Sequence, residues 1–287
     1  MNRLCLALLA ASALLLPGAA LAQRMLNQPL APPVSQPTAV PVTLSAGLEG
    51  DPAPLKKGLV WRVFADDTAA EKAVLVRKTD EPNPVITLDP GAYIVHVTWG
   101  LASATRRVVV GQTPITEKIM LSAGGLRLAA SLGDMRIPKD KLTFSIYVAV
   151  GNDPQGRVIV ENVRGDNIIR LPEGQYRIVS NYGDTNATTS ADVKVESGKV
   201  VDALMRHRAA TVTLKLVANP GAEALANTTF SLVTPGGDII REAIGAFPSM
   251  TLAEGDYVVI ARNGGRVFTQ EFKVKSGVDR DVEVLAR

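Results

Sequence analysis

Few residues of this 287-residue chain belong to the types that usually carry out catalysis. The two histidines, His96 and His207, lie far apart, and neither has a second histidine at the spacing of a zinc ligand pair. Cys5 is the single cysteine, and no Gly-x-Ser-x-Gly turn presents a serine nucleophile. His96 alternates outward on a predicted strand, where a surface residue among cross-strand neighbours is expected. The sequence therefore predicts no catalytic residue, no cofactor and no metal, and we expect the chain not to be an enzyme.

Paired carboxylates occur twice, at Asp66 and Asp67 and again at Asp80 and Glu81. Both pairs stand where predicted strands end, so they are interpreted as solvated turn residues. A glycosidase pair would need a cleft and a defined separation between the two carboxylates. Residues 263–266 (NGGR) join two predicted strands and indicate a hairpin turn, not a phosphate-binding loop.

Residues 184–192 (DTNATTSAD) faintly resemble a calcium-binding loop. Oxygen-bearing side chains occupy alternate positions: Asp184, Asn186, Thr188, Ser190 and Asp192. However, Thr189 stands where the sharp turn of such a loop needs glycine, and Val195 stands where the bidentate glutamate belongs. A polar hairpin between two strands is the preferred interpretation. Asn186 and Asn227 match the N-glycosylation pattern, which means little in a bacterial host.

The pattern Leu-x-x-Gly-x-Tyr occurs three times, ending at Tyr93, Tyr176 and Tyr257. One interpretation is a ligand site built in triplicate from exposed tyrosines. The preferred one is structural, because a tyrosine just after a turn buries its ring and donates its hydroxyl to a nearby backbone group, as in a tyrosine corner. The glycine would suit a tight turn that needs a permissive backbone. The three tyrosines are thus predicted to be tyrosine corners.

These motifs belong to a longer internal repeat. Each copy begins with an alternating apolar segment containing Leu44, Leu128 or Leu214, and a segment centred on an aromatic residue follows, at Trp61, Phe144 or Phe230. The remaining segments are short, rich in Val, Ile, Thr and Leu, and separated by turn residues, which predicts strands and no long helix. About seven strands in about 85 residues is the size of an immunoglobulin-like sandwich. We therefore predict an all-β protein of three tandem sandwiches, at 41–122, 123–208 and 209–287.

The N-terminus has the features of a secretory signal. Arg3 precedes an apolar run at 4–16, and Ala20 and Ala22 frame a small-x-small cleavage site, which predicts a signal peptide over 1–22. An uncleaved membrane anchor is the alternative. Residues 23–40 contain four prolines and no aromatic residue, and are predicted to be a disordered tether.

The mature chain would have no cysteine and no transmembrane segment, which favours a bacterial periplasmic protein over a disulfide-free eukaryotic secreted one. The 31 basic and 28 acidic residues are nearly balanced, and no concentrated basic face indicates nucleic-acid binding. The short basic run at 206–208 (RHR) is interpreted as an interdomain linker.

The Leu-x-x-Gly-x-Tyr motif entering a Val-rich strand resembles the carboxypeptidase regulatory-like and PEGA-type repeats, which have transthyretin-like β-sandwich folds. LPEGQY at 171–176 is close to the PEGA motif, whereas the first copy departs from it with DPGAY and the third with AEGDY. The resemblance implies a binding, spacing or scaffolding module of the cell envelope and supplies no catalytic residues.

The expected function is that of a non-enzymatic exported protein that binds an envelope protein or glycan through its edges and loops, by strand addition for example. Segments that differ between the repeats, such as 65–72 and 183–192, are the expected places for function. The alternatives are a carbohydrate-binding or hydrolase-accessory subunit with its site between repeats, and a mechanical stalk. Neither the partner nor the oligomeric state follows from the sequence.

Overall fold

The computed structural model describes residues 38–66, 73–150 and 153–287, and Ala39–Arg287 is a compact unit. The predicted signal peptide, most of the predicted tether and residue Asp67 lie outside the described residues. The first strand begins at Val40, which the prediction assigned to the tether.

The first repeat contains eight strands. They are β1 (Val40–Leu48), β2 (Asp51–Pro54), β3 (Leu59–Ala65), β4 (Val74–Thr79), β5 (Val85–Leu88), β6 (Gly91–Trp99), β7 (Ala102–Val110) and β8 (Ile115–Leu121). Strands β5 and β8 flank β1 in one sheet, with β2 pairing the end of β1, and the order β4-β3-β6-β7 forms the other sheet.

The second repeat has the same topology. Its elements are β9 (Ala123–Leu132), β10 (Met135–Arg136), a 3-10 helix (Lys139–Lys141), β11 (Leu142–Val150), β12 (Asp153–Val163), β13 (Ile168–Pro172), β14 (Gly174–Tyr182), β15 (Thr188–Val195) and β16 (Val200–His207). One sheet places β9 between β13 and β16, and the other has the order β12-β11-β14-β15.

The third repeat lacks the short extra strand of the other two. Its strands are β17 (Ala209–Val217), β18 (Thr229–Val233), β19 (Ile239–Ile244), β20 (Ser249–Ala253), β21 (Gly255–Asn263), β22 (Arg266–Val274) and β23 (Arg280–Leu285). The sheets have the orders β20-β17-β23 and β19-β18-β21-β22. The chain is therefore all-β, with three tandem immunoglobulin-like sandwiches.

Each sandwich closes by pairing its first strand with its last in parallel, as β1 with β8, β9 with β16 and β17 with β23. All other strand pairs between these elements are antiparallel. Alternating apolar residues point into the space between the two sheets of a repeat, because successive side chains of a strand face opposite ways. The predicted aromatic centres Trp61, Phe144 and Phe230 are each at most 1% exposed. Each repeat thus has a core of its own.

The motif glycines have a different role from the predicted one. Gly91, Gly174 and Gly255 do not adopt left-handed φ angles, so the motif needs no permissive backbone at these positions. Each begins a strand, and a Cβ on each would lie 3.7 Å from the ring of the tyrosine two residues later. The tyrosine ring therefore lies close to the backbone of the glycine. A methyl group at this position would still fit without a steric clash.

The prediction of an interdomain linker at 206–208 is correct for Arg208 alone. Arg206 and His207 are the last two residues of β16, and only Arg208 separates that strand from β17. Inward alternation continues to the end of β16, where Met205 and His207 are both 3% exposed. In the part of the chain that the structure describes, no helix has the length and hydropathy needed to span a membrane.

Candidate functional site

The three motif tyrosines lie at the crossover between the two sheets of each repeat. Each is the third residue of its strand, and its hydroxyl donates a hydrogen bond to the carbonyl four residues earlier. The distances are 2.9 Å from Tyr93 to Asp89, 2.8 Å from Tyr176 to Pro172 and 2.7 Å from Tyr257 to Ala253.

The tyrosine side chains are at most 8% exposed, so they offer no platform to a ligand. Burial raises the pKa of all three hydroxyls, and at Tyr93 the carboxylate of Asp89 raises the pKa further. At Tyr257 the hydrogen bond from Asn186 opposes that increase in pKa. The hydroxyls therefore stay protonated at neutral pH and act as donors.

Ser180 and His207 form a serine–histidine pair that the sequence analysis did not identify. The Ser180 Oγ and His207 Nε2 atoms are 2.8 Å apart, and the ring of Tyr182 meets the imidazole edge-on. Burial lowers the pKa of His207, so the imidazole is neutral at neutral pH. Because Ser180 is 0% exposed, its hydroxyl is not accessible for attack on a substrate. The pair is a structural contact between β14 and β16.

The other sequence candidates are separate from one another. His96 faces away from the core on β6, with its pKa lowered by partial burial and then by Arg62. Asp66 forms an ion pair with Arg107, N to O 2.6 Å, just after β3 ends. Asp80 and Glu81 are exposed after β4, as predicted. No group of three His, Cys, Asp or Glu side chains among the described residues is arranged to hold a metal ion.

Residues 263–266 form the predicted hairpin turn, with Asn263 paired to Arg266. The polar hairpin predicted over 184–192 is confirmed as a connection between β14 and β15, but its turn is 183–187 and residues 188–192 belong to β15. This second hairpin contacts the third repeat, because Asp184 pairs with Arg241 at 2.9 Å and Asn186 donates to the Tyr257 hydroxyl at 3.0 Å. Asn186 Oδ1 also accepts from the backbone N–H of Ala253. Two of the five oxygen-bearing residues of the calcium-like pattern, Asp184 and Asn186, are thus joint residues between two repeats.

Strand β4 is the most unusual surface element. It forms an edge of its sheet, paired to β3 on one side only among the described residues. Val74, Leu75 and Val76 are consecutive and are 59%, 48% and 46% exposed. The equivalent edge strands β12 and β19 each place apolar side chains against their core, at Ile159 and Ile240 for example. None of the described β4 residues is among the buried or partly buried hydrophobic residues of the first core.

The run VLVRKT shows three apolar residues in a row where an edge strand packed on one face would alternate. This run alone would not have identified β4 from the sequence, because the equivalent strand β12 also carries three consecutive apolar residues at 158–160. An exposed, apolar edge strand presents unpaired backbone groups and apolar side chains together, which is the form of surface to which another strand can add. Strand β4 is therefore the candidate binding site.

Comparisons with known proteins give one family match. Residues 211–286 match the Rhizobiales growth-associated tandem repeat domain, which covers the third repeat. No curated protein matches the chain.

Several solved structures are similar at low identity. The Bacillus anthracis TIE protein is 16% identical, with a TM-score of 0.26, covering 86% of this chain and 51% of that protein. A streptococcal ancillary pilin is 13% identical, with a TM-score of 0.27, covering 86% and 99%. BcpA, the major pilin subunit of Bacillus cereus, is 12% identical, with a TM-score of 0.24, covering 87% and 100%. Similarities of this size carry no argument about function.

Proposed function

We propose that this chain is a non-enzymatic, exported protein of the bacterial envelope that binds another envelope protein by strand addition at β4. The single observation that carries the proposal is the run of exposed apolar residues on that edge strand. Backbone hydrogen bonds would supply affinity, and alternate side chains such as Val74 and Val76 would supply specificity. The three sandwiches would act as a spacer that holds β4 at a fixed place.

The signal peptide would direct export and be cleaved after Ala22, leaving residues 23–39 as a tether in the periplasm. The domain boundaries belong to the same proposal, at 40–122, 123–208 and 209–287, with one motif tyrosine as the corner of each domain. Kinship with the carboxypeptidase regulatory-like and PEGA-type repeats is proposed on the tyrosine motif and the sandwich fold.

Site-specific photo-crosslinking in the cell tests the binding proposal. A photoreactive residue at Val76 is expected to give a discrete protein adduct. The matched control is Val109 on β7, which is 63% exposed and lies on the opposite edge of the same sheet. No adduct at Val76, or the same adduct at both positions, would reject β4 as the binding edge.

The carbohydrate-binding alternative has less support. Sugar-binding surfaces usually present aromatic rings, whereas Phe247 is the single aromatic residue among the large exposed hydrophobic side chains of the described chain. A purely mechanical stalk would be favoured by finding no adduct at either valine.

A further inference from the structure

The two internal joints of the chain use the same two positions. The first position is a hairpin glycine seven residues after the motif tyrosine, Gly100 in the first repeat and Gly183 in the second. Both glycines have left-handed φ angles, 66° and 75°. The second position is the residue before the motif leucine of the next repeat, Arg170 or Thr251.

Contact at both joints is too close for any side chain on the glycine. A Cβ on Gly100 would lie 2.6 Å from the Cβ of Arg170, and a Cβ on Gly183 would lie 2.9 Å from the Cβ of Thr251. The hairpin also donates to the carbonyl of the same partner residue. Leu101 N–H donates to the Arg170 carbonyl at 3.0 Å, and the Thr185 hydroxyl donates to the Thr251 carbonyl. The joint is thus a repeated, specific contact.

The same two positions occur a third time. The hairpin glycine lies in the third repeat, and the partner residue lies in the first. Gly264 is the hairpin glycine of the third repeat, with a φ of 55° and no described atom within 4 Å of an added Cβ. Its two-residue turn between Asn263 and Arg266 has the same length as the turn between Trp99 and Ala102 that makes the first joint. Thr87 is the residue before the motif leucine of the first repeat, and it is exposed.

We propose that the Gly264 turn of one copy docks on Thr87 of a second copy, which continues the internal joint from chain to chain. The partner is a second copy because the two joints already present are made by this repeat with itself. The charges nearby are opposite, with exposed Arg266 on the turn and exposed Asp89 two residues beyond Thr87. A head-to-tail contact of this kind leaves one free end on each copy, so it adds further copies until the rotation between them closes a ring.

The contact between copies is expected to be weak. Within the chain a single residue, Ser122 or Arg208, covalently links each pair of neighbouring repeats, whereas two copies have no covalent link. Association is therefore expected at concentrations on the order of 0.1 mM, and it should weaken with added salt because the charged groups are exposed.

Sedimentation of the mature chain over a concentration series tests the proposal. The informative variant is Gly264→Asn, because asparagine followed by glycine suits this turn and tolerates a left-handed φ, while its Cβ would meet Thr87. The matched control is Gly133→Asn, at a φ of 60° with open space around it. The wild type and the control should associate to the same extent, and Gly264→Asn should remain monomeric.

Charge exchange provides a second, independent measurement. Asp89→Arg should weaken association, and combining it with Arg266→Asp should restore it. A wild type that stays monomeric throughout the series, or association that Gly264→Asn leaves unchanged, would overturn the proposal. Because β4 lies outside this contact, crosslinking at Val76 in the Gly264→Asn variant keeps the two proposals distinguishable.

Discussion

The Oγ atom of Ser180 and the Nε2 atom of His207 share a hydrogen bond of 2.8 Å, and both residues are buried. Because this imidazole is neutral in the folded chain, a lower pH should destabilise the protein by protonating His207 in the unfolded chain. Burial lowers the folded-state pKa of His207, whereas the unfolded pKa is about 6.5.

The free energy of unfolding should decrease as the pH falls below about 6.5, since the unfolded chain then binds a proton that the folded chain resists. The decrease ends once the pH passes below the folded pKa. His207 contributes at most about 1.4 kcal/mol per pH unit to this slope. Urea unfolding at several pH values should show a smaller slope for His207→Gln. His96→Gln is the control for the other histidine with a lowered pKa, and an unchanged slope in His207→Gln would contradict the assignment.

The corner hydroxyl of Tyr176 should contribute to stability in the way a buried hydrogen bond does. Tyr176→Phe removes the donor to the Pro172 carbonyl and should lower the free energy of unfolding by about 1 kcal/mol. Tyr147→Phe, at a partly buried tyrosine on β11, is the control and should change it by less. Crosslinking at Val76 should be the same in Tyr176→Phe and the wild type. Equal stability of the two proteins would contradict the structural role of the Tyr176 hydroxyl.

The motif glycine should tolerate a methyl group. In Gly174→Ala the new Cβ lies at ordinary contact distance from the Tyr176 ring, so stability should stay within about 1 kcal/mol of the wild type. Gly156→Ala is the contrasting variant, because its φ is 70° and a Cβ there would lie 2.4 Å from the Val148 carbonyl oxygen. Thermal unfolding should rank Gly156→Ala clearly below Gly174→Ala, and the reverse order would restore the permissive-backbone interpretation.

The repeat alignment was enough to predict the fold, because apolar alternation and turn residues are local properties of the sequence. Leu44, Leu128 and Leu214 mark the same core position in β1, β9 and β17, and all are at most 1% exposed. The parallel pairing of first and last strands was not predictable, since nothing local in a strand specifies a partner so far away along the chain.

The contact that residues 183–187 make with the next repeat was also not predictable. It depends on residues far away along the chain, such as Arg241 and Thr251. His207 was within reach of prediction. Following the alternation of Ala203 and Met205 for one more step places its ring inside the sandwich.

The joint between the second and third repeats should be broken by one added side chain. In Gly183→Asn the left-handed backbone is kept, but the new Cβ would lie 2.9 Å from the Cβ of Thr251 and the hairpin must withdraw. Withdrawal would also separate Asp184 from Arg241 and Asn186 from Tyr257. Limited proteolysis should then cut near Arg208 at a protease concentration that leaves the wild type intact, because that single-residue link would lose its supporting contacts. Gly133→Asn should resist like the wild type, and equal resistance of Gly183→Asn would show that the close approach does not hold the repeats together.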